Sequence, residues 1–416
     1  MPPAFFDVRM RGFKDRTEVP VAWALLDART SRLPAVRCPL ADAFGRILAS
    51  AVVADVDIPP FDRAAMDGYA LRGEDTFSAS AYSPIEIRVI GTATPGRAFP
   101  GRIHSFEAVR IMTGAPIPEG ADAVLPAEFA HESDNLLRVH EPVTPGRHIG
   151  RRGEDIASGH VVLPADRRLR AQDLGILSAL GVREVLVVQR PVVDIWATGD
   201  ELLPTGSRPE GYRIVDSNTP MLTALVARDG GVVGSCALIP DDPERLRRAL
   251  DQSQADVVLI SGGSSVGQED HTPRIVAERG ELPVHGLALR PASPTGIGFV
   301  EGKIVFLLPG NPVSCLCAYD LLAGRTIRQL GGRSPELPYL RRRLPLAGKI
   351  TSALGRLDYV RVRVTAQGVE PIAVSGASLL STTTSADGFV LVDPDREGHA
   401  PGEEVDVWLY DAVLAV

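Results

Sequence analysis

The sequence has no long hydrophobic run. Its apolar stretches, such as Ile304 to Leu308, are strand-sized and far short of the roughly 18 residues that cross a bilayer, so no membrane span is expected. Cysteine is scarce as well. Cys38, Cys236, Cys315 and Cys317 form no CxxC pair and have no histidine at zinc-finger spacing, and the eight histidines form no HExxH. Zinc sites of those kinds are therefore not expected, whereas buried thiols in a reducing compartment are. A basic excess is also missing: Lys and Arg (44) are outnumbered by Asp and Glu (52), for a formal net charge of −8. A general nucleic-acid binder needs a basic surface and is excluded. Neither a Walker P-loop nor a GxGxxG fingerprint occurs, which leaves an ATPase or a dehydrogenase without support. Met1 to Lys14 mixes Arg9, Arg11 and Lys14 with Asp7 and has no apolar h-region, so a cytoplasmic location is expected.

What is abundant is turn chemistry. Pro (34) and Gly (40) make up about 18% of the 416 residues, against a usual share of roughly 12%. Hydrophobic (44%) and charged (23%) fractions are those of a globular chain, and the length suits two to four domains at about 100 to 200 residues each. Apolar spacing predicts a helix over Thr17 to Thr30 and a short one over Ala43 to Ala51. From Ile58 to Pro145 short β-branched runs alternate with Pro and Gly, and a further helix is expected from Asp173 to Gly181. This pattern reads as a discontinuous mixed α/β domain (1–46 and 147–190) holding an inserted β-rich domain (47–146).

Pro191 opens a different rhythm. Apolar strands at Val192 to Ala197, Val232 to Ile239, Val257 to Ile260 and Lys303 to Leu308 alternate with helices at Thr219 to Arg228, Pro243 to Gln252 and Thr272 to Arg279, and another helix starts at Pro312. Continuous apolar strands separated by helices predict a doubly wound parallel sheet over 191–334. Short strands return after Arg333, and a small β-barrel is expected over 335–416. The fold class is thus multidomain α/β plus β.

In such a sheet ligands bind beyond the carboxyl ends of the strands. Three loops there are rich in Gly or Asp. Thr198-Gly199-Asp200-Glu201-Leu202 places two carboxylates at a strand exit. Ser261-Gly262-Gly263-Ser264-Ser265-Val266-Gly267 has the make-up of a phosphate cradle and runs on to Gln268-Glu269-Asp270, and Pro309-Gly310-Asn311-Pro312 turns tightly into a helix. Carboxylates beside an anion cradle need a cation between them, which points to Mg²⁺. Outside the sheet, Pro60 to Ala70, Arg110 to Val124 and Arg151 to Ile156 each pack polar groups between turn residues.

With these segments the sequence resembles the molybdopterin molybdenumtransferases, the family of bacterial MoeA and the E domain of gephyrin. The matching motifs, in family order, are Ala65 to Ala70, Arg110 to Pro116, Arg151 to Ile156, Thr198 to Leu202, Ser261-Gly262-Gly263 through Asp270, and Leu308 to Pro312. The resemblance implies a homodimer of four-domain chains whose α/β domain binds molybdopterin. Its reaction would take adenylylated molybdopterin and molybdate, insert molybdenum at the dithiolene sulfurs and release AMP. Carried over by position, Glu201, Asp241 and Asp270 would hold Mg²⁺, while Gly262, Gly263, Ser264, Gly267, Pro309, Gly310, Asn311 and Pro312 would cradle the ligand. Asp67, Thr113 and Asp155 would serve the molybdate side as catalytic residues. A molybdopterin adenylyltransferase and molybdoenzymes are implied as partners. Two positions depart from the family pattern. Arg290-Pro291-Ala292-Ser293-Pro294 stands where Lys-Pro-Gly-Lys-Pro is usual, so Arg290 is expected to carry the remaining positive charge, and Gly376-Ala377 replaces Gly-Ser. A non-catalytic molybdopterin-binding paralogue that stores, delivers or senses the cofactor is the alternative, and cleavage of another nucleotide pyrophosphate a third reading.

Overall fold

The computed structural model describes residues 16–263, 271–373 and 378–411. The chain forms two compact units, one of Arg37–Phe44 with Leu48–Leu186, the other of the chain up to Val36 with Gly45–Ile47 and everything from Val187 onward. The larger unit is built on a six-stranded sheet in the order Val232–Ile239, Val192–Thr198, Val257–Ser261, Lys303–Leu308, Gly296–Val300 and Glu281–His285. The first four strands pair in parallel, as their continuous apolar character predicts. Gly296–Val300 and Glu281–His285 add two antiparallel strands that the sequence reading did not include.

Both faces of this sheet are covered, because successive side chains of a strand point to opposite sides. Val193, Ile195, Val257, Leu259, Phe306 and Leu308 face one core with Leu222 and Val226 of the helix Asn218–Arg228. Trp196, Val258, Ile260, Val305 and Leu307 face the other with Leu246 and Leu250 of the helix Pro243–Gln252 and Ile275 and Val276 of the helix Thr272–Arg279. Asp242 caps Pro243–Gln252, its carboxylate accepting from the amides of Glu244 (2.9 Å) and Arg245 (3.4 Å). Val19, Ala22 and Leu26 of the first helix, Val19–Arg29, belong to the first of these cores. The buried stripe of this helix thus packs with the α/β sheet.

The C-terminal strands Leu340–Pro345, Leu357–Thr365, Gly368–Ala373, Gly388–Val392 and Glu404–Leu409 pair antiparallel. A bridge from Leu346 to Val369 returns the path to its start, closing a small barrel around Val360, Val362, Val390 and Val407. On its outside, Phe389 lies between Tyr359 and Trp408, with ring centroids at 4.0 and 5.6 Å. Tyr359 and Phe389 also join the α/β core. A buried polar network ties the same parts together. The Arg228 guanidinium donates to Asp229 (2.8 Å) and Asp320 (3.0 Å), the Asp320 carboxylate also accepts from the Tyr339 and Tyr359 hydroxyls, and Arg328 pairs with Asp229. Burial pushes the Asp320 carboxyl up, and the Arg228 charge beside it opposes that rise.

In the smaller unit a six-stranded sheet runs in the order Ala123–Pro126, Gly68–Leu71, Glu107–Ile111, Ile85–Ala93, Leu136–Val139 and Ala130–Ser133. The expected helix near Asp173 is there as Ala171–Ala179, with Gly181 past its end at φ +76°. The expected helix over Ala43 to Ala51 is not. Gly45 turns the chain at φ +72°, and the Leu48 and Ala49 amides donate to the carbonyls of Arg167 (3.0 Å) and Leu186 (2.9 Å). Partners distant in sequence have taken the amides that a helix would have used.

Removing one member of a buried charge network leaves the others unpaired, which typically costs about 3–5 kcal/mol. Arg228→Met is expected to lower stability by about that much, read as a lower denaturant midpoint. Tyr359→Phe, which removes one hydroxyl from the same network, should cost only about 1 kcal/mol. Equal midpoints for Arg228→Met and the parent chain would show that the network does not hold the barrel.

Candidate active site

Parallel pairing aligns the strand ends of the α/β sheet. Ala197 stands beside Ser261, Ser261 beside Leu308 and Thr198 beside Ile239, so the four loops that follow leave one edge together. They enclose a cleft of about 600 Å³. Gly262, Gly263, Pro309, Gly310, Asn311 and Pro312 line it, as do the carboxylate residues Glu201 and Asp241. Ser264, Gly267 and Asp270 lie outside the described residues, as do Gly376 and Ala377. Among the described residues no group of three His, Cys, Asp or Glu side chains is placed to hold a metal ion.

The glycines are required by packing. Gly262 has φ +98°, and a Cβ on it would lie 2.5 Å from the Thr198 carbonyl oxygen. At Gly263, φ +56°, a Cβ would lie 2.7 Å from the Thr272 hydroxyl and 3.0 Å from that of Thr198. Neither position has room for a side chain, and both glycines line the cleft, where residues without side chains let a ligand come close to the backbone. Opposite, Asp200 and Asp241 bind each other's loops: the Asp200 amide donates to the Asp241 carboxylate at 3.3 Å, and the Asp241 amide to the Asp200 carboxylate at 3.2 Å.

Sequence reasoning missed the back wall. Asn218 is buried, and its side-chain amide donates to the Ser261 hydroxyl (2.7 Å) and the Gly310 carbonyl (2.8 Å), joining the cradle loop to the Pro309–Pro312 turn. Among the described residues its carbonyl oxygen has no hydrogen-bond partner, and neither has the buried Thr198 hydroxyl. Asp216 accepts from the amides of Asn218 (3.0 Å) and Thr219 (3.1 Å), holding the start of that helix. The signal was present as Asp216-Ser217-Asn218, three polar residues directly before an apolar helical pattern.

The three motifs outside this sheet form a loop cluster in the smaller unit. Asp67 and Thr113 meet directly: the Thr113 amide and hydroxyl both donate to Asp67 Oδ1, at 2.6 and 2.9 Å. These two bonds, the amide's first, hold the Asp67 carboxyl below its ordinary value and keep it ionised. The third motif joins through its arginines. Arg151 and the Arg152 amide donate to Asp62 at 2.7 and 2.8 Å, and the Arg152 guanidinium donates to Asp57 at 2.6 Å. Asp155 is exposed in this loop, its amide donating to the Ile58 carbonyl at 3.1 Å. Arg290, expected to carry the remaining positive charge of its motif, is engaged within the protein. Its guanidinium pairs with buried Asp358, which also accepts from Ser352 at 2.6 Å, so its charge is neutralised within the protein.

Fold and cleft define an α/β ligand-binding domain carried in a multidomain chain with a C-terminal β-barrel. The descriptions "MoeA N-terminal region (domain I and II)", "Probable molybdopterin binding domain" and "MoeA C-terminal region (domain IV)" match residues 17–181, 194–329 and 343–410. A molybdopterin molybdenumtransferase of Staphylococcus aureus is 31% identical over 411 residues, covering 96% of this chain and 97% of its own. Molybdopterin molybdenumtransferase 2 of Mycobacterium tuberculosis is 33% identical over 388 residues, covering 90% and 94%. The solved structure of a molybdopterin biosynthesis MoeA protein from Pyrococcus horikoshii superposes with a TM-score of 0.83 at 32% identity, covering 96% of this chain and all of that one. The chain belongs to the MoeA family of molybdopterin molybdenumtransferases.

Two substitutions probe the two clusters. Gly262→Ala places a methyl group against the Thr198 carbonyl at a positive φ, so it should abolish ligand binding in the cleft while the far-ultraviolet spectrum stays that of the parent; retained affinity would reject the cradle. Thr113→Val removes one of the two donors to Asp67, so this carboxyl should titrate at higher pH than in the parent. Because its folded-state pKa is depressed, the linked stability is present above the ordinary carboxylate pKa and lost as pH falls through the folded value. Carboxyl NMR titration measures the rise, and an unmoved midpoint counts against the bond.

Proposed function

We propose that the chain inserts molybdenum from molybdate into adenylylated molybdopterin and releases AMP. The observation that carries this reading is the glycine-floored cleft at the strand ends, with Glu201 and Asp241 on its rim. Bare backbone suits a phosphate, and carboxylates suit a hard cation such as Mg²⁺. Glu201 and Asp241, together with Asp270, are the residues that would hold Mg²⁺, and the ion would screen the charge of a pyrophosphate as its bond to AMP breaks. Asn218 and Thr198 leave a buried acceptor and a buried hydroxyl for the ligand's own polar groups.

On the molybdate side, Asp67 is held ionised by Thr113 and offers a carboxylate that can accept a hydrogen bond from, and so orient, a water or hydroxo group, and Asp155 is an exposed carboxylate in the same loop cluster. The chain works in the cytoplasm as a homodimer, takes its substrate from a molybdopterin adenylyltransferase and passes its product to molybdoenzymes. No helix among the described residues is long and apolar enough to cross a membrane.

AMP release from adenylylated molybdopterin, followed with and without molybdate, tests the reaction. Release that depends on molybdate is expected, and Glu201→Gln should lower both the rate and its response to Mg²⁺. Release indifferent to molybdate, or none, would return the chain to the storage or sensing alternative.

A further inference from the structure

The cleft is lined by Glu201, Asp216 and Asp241, and among the described residues no Lys or Arg lines it. An oxyanion approaching it therefore meets negative charge. The arginine nearest in sequence to Pro294, which lines the cleft, is Arg290, and its charge is taken by Asp358. A second cation reaches this loop. The Arg16 guanidinium donates from Nε to the hydroxyl of Ser293, the residue before Pro294, at 3.0 Å.

This contact is held from both sides. The Ser293 hydroxyl donates onward to the Leu287 carbonyl at 3.1 Å, and the Leu287 amide donates to the Ser293 carbonyl at 2.8 Å. Thr17, beside Arg16, pairs with Leu287: its amide donates to the Gly286 carbonyl at 3.0 Å, and its carbonyl accepts from the Ala288 amide at 2.8 Å. Backbone and Nε are thus fixed, while the two terminal nitrogens of Arg16 have no hydrogen bond or ion pair to a described residue. A guanidinium anchored at Nε presents two parallel donors, the fork that matches a tetrahedral oxyanion.

We infer that Arg16 is the positioning cation that meets the oxyanion of the ligand at the Pro294 edge of the cleft. The inference rests on the reading of that cleft given under Proposed function. Its physical role is to offset the acidic rim and raise the local anion concentration. Ser293 is the holder that aims it.

Titration calorimetry with AMP and, separately, with molybdate tests the assignment. Arg16→Gln should weaken binding by about tenfold or more, the scale of one charge-assisted hydrogen bond, and should flatten the dependence of affinity on salt. Arg16→Lys keeps the charge without the fork and should recover part of the affinity, with the salt dependence restored. Ser293→Ala keeps the charge without the holder and should fall between parent and Arg16→Gln. Arg342→Gln, on an exposed strand of the barrel, should match the parent. A loss seen with AMP assigns Arg16 to the phosphate, and one seen with molybdate assigns it to the oxometalate. Parental affinity and salt dependence in Arg16→Gln would overturn the inference alone; no binding of either anion by the parent chain would overturn it together with the reading of the cleft.

Discussion

The register of the four parallel strands is the constraint on which the site depends. Val193 pairs with Val257 and Val257 with Ile304, and the strands then run in step until Ala197, Ser261 and Leu308 stand side by side. Four loops are thereby placed at one edge without any contact of their own having to arrange them. Their contacts refine the result: Asn218 bridges two of them, and the close approach of Gly262 and Gly263 to Thr198 leaves no room for side chains between. A slip of one residue would turn every strand side chain to the opposite core, so the hydrophobic alternation that builds the two faces also locates the cleft.

Charge is handled differently in the two parts of the molecule. The cleft is lined by carboxylate residues and, among the described residues, by no Lys or Arg. Arginines elsewhere are largely spent on the protein itself. Arg151 and Arg152 lace the loop cluster through Asp62 and Asp57, Arg290 neutralises Asp358, and Arg228 with Arg328 satisfies Asp229 and Asp320 at the junction of barrel and α/β core. The exposed pairs among these add little stability and serve to hold loop shape, whereas the buried network is costly to break. That division explains why a net charge of −8 is compatible with an anionic ligand: the local arrangement of backbone donors and a held cation matters, not the sum.

Most of the α/β domain was legible because its signals are local and redundant. The helices Pro243–Gln252 and Thr272–Arg279 and the strand Lys303–Leu308 have the bounds that apolar spacing, Asp242 and the flanking Gly and Pro residues indicate. The failures share a different cause. Ala43 to Ala51 has helical spacing, yet its amides bond to Arg167 and Leu186, more than a hundred residues away in the chain. Glu281–His285 and Gly296–Val300 are short and hold Pro283 and Gly298, so they lack the continuous apolar signal of the parallel strands and become strands by pairing at a sheet edge. Asn218 reads as an ordinary polar residue at a helix start, and only the approach of Ser261 and Gly310 gives its side chain a task.

By itself the sequence determined the architecture class, the two-sided α/β domain, the terminal β domain and the loops that follow the sheet strands, because hydrophobic period, caps and turn residues act within a few positions of one another. Motif order determined the family. The tertiary structure alone decided how each charge is used. Asp67 receives both donors of Thr113, Arg290 is consumed by Asp358, and Arg16 comes to Ser293 across 277 positions of chain. A side chain's charge is written in its residue type, but its partner is set by whichever distant segment the packed core brings within about 3 Å.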